Sequence, residues 1–204
     1  MPDIQELIKS SLKLSKDFEY LPFPLLVKAT TNYEVIPLNF NSSPEDKRLF
    51  NELKDSANNF IDYAARIRQR FQGDRINDVG KRIEEAFVEE LKKTELNPIL
   101  LTKSGYPDIK VVDSSGRITY LESKAVSKDW NSSFRSFYYT DGKKLDSNAR
   151  HLLIAWDIAE ETPKYWKING WKICDLFNLK MKIKLEFNSN NKELYSDELL
   201  LFHR

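Results

Sequence analysis

The chain has a single cysteine, Cys174, among its 204 residues. A lone thiol excludes an internal disulfide framework and any zinc site built from cysteines, and nothing else points to secretion, so the expected compartment is the cytoplasm. No apolar run approaches the roughly 18 to 20 residues of a membrane-spanning helix, and no charged-then-apolar leader opens the sequence, so a soluble protein with no membrane partner is expected. Glycine is scarce, at 6 residues, and forms no phosphate-cradling loop. Internal repeats and low-complexity tracts are missing too. Charge of one sign is also lacking: the net charge is +1, unlike many strongly basic DNA-binding domains, so distribution matters more than the total. Residues 60–82 and 124–150 each hold more Lys and Arg than Asp and Glu, which permits an anionic partner without requiring one. The length suits one domain with a full-sized hydrophobic core.

What the chain does have is a hairpin with chemistry on one face. Residues 106–112 read Tyr-Pro-Asp-Ile-Lys-Val-Val, a turn follows at Asp113-Ser114-Ser115-Gly116, and residues 117–126 return. β-branched and aromatic runs on either side of a Ser/Gly cluster predict two paired strands. Side chains alternate along a strand, so Glu122 and Lys124 share one face while Leu121, Ser123 and Ala125 take the other. On the outgoing strand Asp108 and Lys110 share a face, which lets Asp108 meet the Glu122/Lys124 pair in a suitable register. Two close carboxylates repel unless a divalent cation lies between them. Few, hard oxygen ligands suit Mg²⁺, which retains several waters that a lysine can orient or deprotonate.

Around the hairpin, residues 3–14 predict a short amphipathic packing helix. Leu21-Pro22-Phe23-Pro24 argues against helix, and the stretch to Phe40 reads as extended and turn-rich, with weak strands at 25–27 and 33–36. Ser43 and Pro44 start a helix that the apolar stripe carries to about Phe71, where Gly73 ends it, with Arg66 and Arg70 on a neighbouring face. Asn77 is the expected cap of the next helix, over 78–94. At about 100° per residue Val79, Ile83, Phe87 and Leu91 face inward, Glu84 sits at the margin, and Glu85 faces water. A short strand is expected at 99–102. The apolar run 151–158 predicts the central strand, buried on both faces, with His151 structural at its mouth. Further strands are expected at 171–176 and 179–187, and the apolar tail at 199–202 is expected to dock.

Pro107-Asp108, the intervening residues 109–121, and Glu122-Ser123-Lys124 resemble the signature of the PD-(D/E)XK nuclease superfamily. Gly80-Lys81-Arg82-Ile83-Glu84 is similar to the stretch that supplies a glutamate from the preceding helix in that superfamily. The resemblance implies an α/β fold: a central mixed β-sheet flanked by helices, with a restriction-endonuclease-like αβββαβ core over about 78–158. The expected organisation is a single nuclease domain, with an N-terminal helical elaboration (1–76), a catalytic core (77–160) and a C-terminal strand extension (161–204). It further implies that Asp108, Glu122 and the backbone carbonyl of Ser123 hold Mg²⁺, that Lys124 positions the attacking water, and that Glu84 binds a second metal or orients Lys124. The implied substrate is double-stranded DNA cut to 5′-phosphate ends. In size the chain is most like a type II restriction endonuclease, which on a palindrome would act as a homodimer. The segment after Lys124, residues 128–139, is dense in hydroxyls and aromatics and holds one amide and one arginine. Lys128, Asn131, Ser133 and Arg135 are expected to read or grip DNA, and Lys143 and Lys144 to contact phosphate. The alternatives are a structure-selective junction or repair nuclease and a non-catalytic DNA-binding module on the same fold.

Overall fold

A computed structural model describes residues 3–17, 20–127 and 137–183. Pro22–Leu179 forms one compact unit, and Met1–Leu21 with Lys180–Arg204 belong to a second. The larger unit is built on a mixed sheet of six strands in the order β2-β7-β6-β5-β4-β3. These are β2 (Phe71–Gln72), β3 (Asn97–Leu100), β4 (Ile109–Val112), β5 (Ile118–Val126), β6 (Arg150–Thr162) and β7 (Tyr165–Asp175). Neighbours are antiparallel except β5 and β6, which run parallel from Thr119↔Arg150 to Val126↔Asp157. The expected hairpin forms with Ile109 opposite Leu121 and Val112 opposite Ile118. Asp113 accepts the Ser115 and Arg117 backbone N–H groups to hold its turn.

Helices α3 (Pro44–Arg66) and α4 (Ile76–Leu91) cover one face. Leu49, Leu53 and Phe60 from α3 and Val79, Ile83 and Phe87 from α4 pack against Ile109, Val111, Leu121, Leu152, Ile154 and Trp156 of the sheet, the residues of one strand parity. Phe60 and Phe87 both meet the Trp156 ring edge-on. Behind the opposite parity an aromatic cluster forms around Phe23, which sits edge-on to Tyr106, Phe137, Tyr139 and His151. The central strand is β6, as the apolar run predicts, with Trp156 and His151 fully buried.

Several element boundaries differ from expectation. Residues 23–31 form helix α2 (Phe23–Thr31) rather than an extended stretch. Pro24 lies in its first turn, where a missing N–H costs nothing, and Asn32 ends it in the left-handed conformation. Phe23 and Val27, one turn apart, supply its buried face. α3 is capped by Ser43 with Pro44 following, as predicted, but stops at Arg66 rather than Phe71. Arg68 has a φ of 52°, the chain turns, and Phe71 leaves to pair with Trp166. Gly73 therefore follows a strand instead of ending a helix. α4 starts earlier than predicted: Arg75 is the N-cap residue, and Asn77 lies inside the first turn.

The smaller unit contains α1 (Ile4–Asp17), the first residue of β1 (Leu21–Pro22) and β8 (Lys180–Met181), and β1 and β8 form their own sheet. Ile4, Leu7 and Ile8 of α1 are exposed, so the helix predicted to pack presents its apolar side outward among the described residues. Of the strand expected over 179–187 only Lys180–Met181 is strand among the described residues, and residues 184–187 and the 199–202 tail lie outside them.

Candidate active site

The hairpin brings the predicted residues together. Asp108 stands just before β4, opposite the end of the β5 register, and its Oδ2 accepts the Ser123 N–H at 2.9 Å. Glu122 and Lys124 share a face two residues apart, with Lys124 Nζ 2.7 Å from Glu122 Oε1. Ser123 points the other way, where its Oγ accepts the Trp156 indole N–H at 3.1 Å. That single residue fixes the backbone between the two functional side chains from both sides. Its main chain holds Asp108 and its side chain is tied into the core.

Glu122 is only 3 % exposed, and burial pushes its carboxyl up to about 7, helped by the charge of Asp108 and opposed by Lys124. Burial would lower the Lys124 ammonium, but Glu122, Asp108 and Glu84 outweigh it and hold the group above its ordinary value. Lys124 is therefore a cation at neutral pH, able to donate hydrogen bonds but not to accept a proton. Glu84 is half-buried, and its carboxyl is likewise raised to about 7, by burial first and then by Asp108 and Glu122. Glu85 is exposed, as helical periodicity predicts, but it borders the same cleft as Glu84.

Gly80 explains how α4 reaches the site. A Cβ at this position would lie 3.3 Å from Ala125 Cβ, so its absence lets the helix press against β5 one residue beyond Lys124. Glu84, one turn further along, then lines the same cleft of about 360 Å³ as Asp108, Ser123 and Lys124. Lys81 and Lys103 line this cleft as well, and neither has an ion-pair partner among the described residues.

The donor set fits a divalent cation. Glu122 Oε2 is buried without a hydrogen-bond partner, beside a second carboxylate that raises its proton affinity. An unpaired buried oxygen of this kind is costly unless a proton or cation occupies it. Among the described residues no three Asp, Glu, His or Cys side chains form a metal cage. Two carboxylates, a backbone carbonyl and water make a set suited to Mg²⁺.

Of the predicted DNA contacts, Lys128, Asn131, Ser133 and Arg135 lie outside the described residues. The structure separates the other two. Lys143 is exposed and paired with Asp141 at 2.6 Å, whereas Lys144 is half-buried and donates to the carbonyls of Leu101 and Pro107 at 3.1 and 2.6 Å. Arg70, read as sharing a face with Arg66, instead pairs with Glu161. Tyr106 is not among the expected site residues, yet its hydroxyl meets His151 Nδ1 at 2.6 Å and its ring stacks on the imidazole. Burial pushes the His151 pKa down to about 3, so the ring is neutral and holds Tyr106, two residues from Asp108. No periodic signal marks Tyr106 or Lys144, because both lie in loops.

A sequence model of the type II restriction enzyme MjaV family matches residues 16–198. The type II restriction enzyme MjaV of Methanocaldococcus jannaschii is 31% identical over 222 residues, covering 98% of this chain and 96% of the relative. No solved structure matches.

Proposed function

The chain belongs to the type II restriction enzyme MjaV family, and from that premise we propose that it is a sequence-specific, Mg²⁺-dependent endonuclease that hydrolyses double-stranded DNA at the Asp108/Glu122/Lys124 site. The observation that carries the reading is the buried, partnerless Glu122 Oε2 beside Asp108, on a hairpin whose third functional group is an ammonium. Asp108, Glu122 and the Ser123 carbonyl would hold the ion. When bound, Mg²⁺ neutralises charge on the scissile phosphate and lowers the pKa of a bound water.

The chain's own residues do the rest. Lys124, kept protonated by Glu122, donates to the attacking water or to a phosphate oxygen and so orients in-line attack. Glu84, on the far wall of the cleft, orients Lys124 through their charges. Lys81 and Lys103 supply unpaired cations where the backbone of the duplex would enter. The order α4-β3-β4-β5 followed by parallel β6 supports the αβββ part of the αβββαβ core and its parallel last strand; no helix lies between β5 and β6 among the described residues. Lys128, Asn131, Ser133 and Arg135, between β5 and β6 in sequence, would read or grip the DNA, with Arg135 suited to bidentate contact with guanine. A palindromic site would require a homodimer.

Digestion of a sequenced plasmid with Mg²⁺ tests the reading. Discrete fragments sharing one terminal sequence are expected. A smear would indicate a nuclease without sequence specificity, and intact plasmid would return the protein to DNA binding without catalysis.

A further inference from the structure

Lys144 sits where the ladder between β3 and β4 ends. The pair Leu100↔Ile109 closes the registered strands, and Leu101 N–H then donates to Asp108 O at 2.8 Å. Beyond that bond no backbone hydrogen bond joins the two segments among the described residues. A side chain takes over: Lys144 Nζ reaches both the Leu101 and Pro107 carbonyls, at 3.1 and 2.6 Å. Two of its three N–H donors are thereby directed at main chain on either side of the gap.

The lysine is held in place from behind. Leu145 is buried, and Asp146 accepts from Lys110 Nζ and from the Tyr120 hydroxyl while its own N–H donates to that hydroxyl. Residues 144–146 are thus anchored to β4 and β5. Both of these donations go to main chain, whereas a phosphate contact would need the ammonium directed at the ligand.

We infer that Lys144 is a positioning residue for Asp108: by bridging the Leu101 and Pro107 carbonyls it closes the open end of the β3–β4 ladder and fixes the carboxylate next in the chain. The role rests on the nuclease reading above, in which Asp108 is a cation ligand. Burial holds the Lys144 ammonium below its ordinary value, and the nearby Asp108, Glu122 and Glu84 offset part of that shift.

The test compares Lys144→Met with Lys143→Met in the full chain, by Mn²⁺ binding in calorimetry without DNA and by duplex affinity in Ca²⁺. Loss of an outer partner of a metal ligand typically costs about 10- to 100-fold in affinity. That loss of Mn²⁺ affinity is expected for Lys144→Met at unchanged duplex affinity, with recovery in Lys144→Arg, which keeps donors and charge. Lys143→Met should leave Mn²⁺ affinity at the wild-type level. If Lys144→Met weakens duplex binding and spares Mn²⁺ affinity, Lys144 is a phosphate contact and the inference falls. Should Lys144→Met fail to fold, Lys144→Gln, too short to bridge both carbonyls, carries the same comparison with the same deciding outcome. A wild-type protein that binds Mn²⁺ but cuts no DNA would overturn the proposed function alone, since the Mn²⁺ comparison does not depend on cleavage.

Discussion

Two clusters of charge lie along the same pair of parallel strands, and they are built on opposite principles. Near the start of β5 and β6, Asp46 is 1 % exposed. Arg117 NH1 lies 3.2 Å from it, and Arg150 Nε lies 2.6 Å from it as an ion contact outside hydrogen-bond alignment. Asp113 closes the set on Arg117 at 2.7 Å, and the second Asp46 oxygen accepts the Asn39 N–H. Acids and bases there match. Further along β5, Asp108, Glu122 and Glu84 face Lys124 and the half-buried Lys144, and one carboxylate oxygen has nothing to bind. The first cluster pairs two acids with two arginines, while the second, with three acids against two ammonium groups, is short of positive charge by one unit when all three acids are ionised. Where buried charges match, they hold strands together; where acid exceeds base, the site is suited to receive a cation.

The sharpest way to break that contrast is to remove one acid from each cluster. Asp108→Ala should retain the fold and reduce the cleavage rate well beyond the about 10- to 100-fold typical of losing an outer-shell partner; undiminished cleavage by the purified variant would dismiss the site. Asp46→Ala should do the reverse. Stranding Arg150 and Arg117 should destabilise the fold by about 3 to 5 kcal/mol, read in urea, with single-turnover cleavage per folded molecule unchanged.

A smaller effect separates neighbours on α4. Glu84→Gln should slow cleavage by about tenfold or more, the loss expected for a residue that orients another, while Glu85→Gln should match the wild type. Equal tolerance at both positions would make Glu84 an ordinary helix-edge residue.

The clusters should also respond to pH with opposite sign. Glu122 and Glu84, raised to about 7, bind more protons folded than unfolded. Their contribution is fully present below about 4.5 and lost as pH rises through about 7. Asp113 is held below its ordinary value: burial alone would raise it, but hydrogen bonds from Ser115 and Arg117 prevail. Its contribution is present above the unfolded value and lost as pH falls. In chelator, thermal stability should therefore decline from about pH 5 to about pH 8, and Glu122→Gln should flatten that decline. Cation affinity should rise over the same window as the carboxyls lose protons.

The gentlest perturbation is Gly80→Ala. Its methyl at 3.3 Å from Ala125 Cβ displaces α4 by a few tenths of an ångström. Since a misplacement of about 1 Å can cost 100-fold, a loss of roughly 3- to 5-fold in rate is expected. A wild-type rate would show that close approach of α4 to β5 is not needed.

The sequence made the hairpin legible because each signal was local: alternation placed Glu122 and Lys124 on one face, and the Asp/Ser/Gly cluster marked the turn. Helical periodicity separated Glu84 from Glu85 for the same reason. The failures share a different cause. Phe71 continued the α3 stripe in sequence, but pairing with Trp166 claims it for a strand. Pro22 and Pro24 looked like helix breakers, yet both stand at the one end of a helix that tolerates them. Lys143 and Lys144 were indistinguishable as adjacent residues of one charge. Only the burial of Leu145 and the anchoring of Asp146 turn one outward and the other toward Pro107.

The bond from the Trp156 indole to Ser123 makes the site optically visible. Trp156 is wholly enclosed by Phe60, Phe87 and their neighbours, whereas Trp166 and Trp171 are half-buried and bonded to Gly73 and Asn58. Its emission therefore arises from a dry environment and is coupled through one hydroxyl to the peptide between Glu122 and Lys124. Any ligand that shifts that peptide alters a native chromophore, so occupancy of the centre can be followed by fluorescence without a label and without DNA.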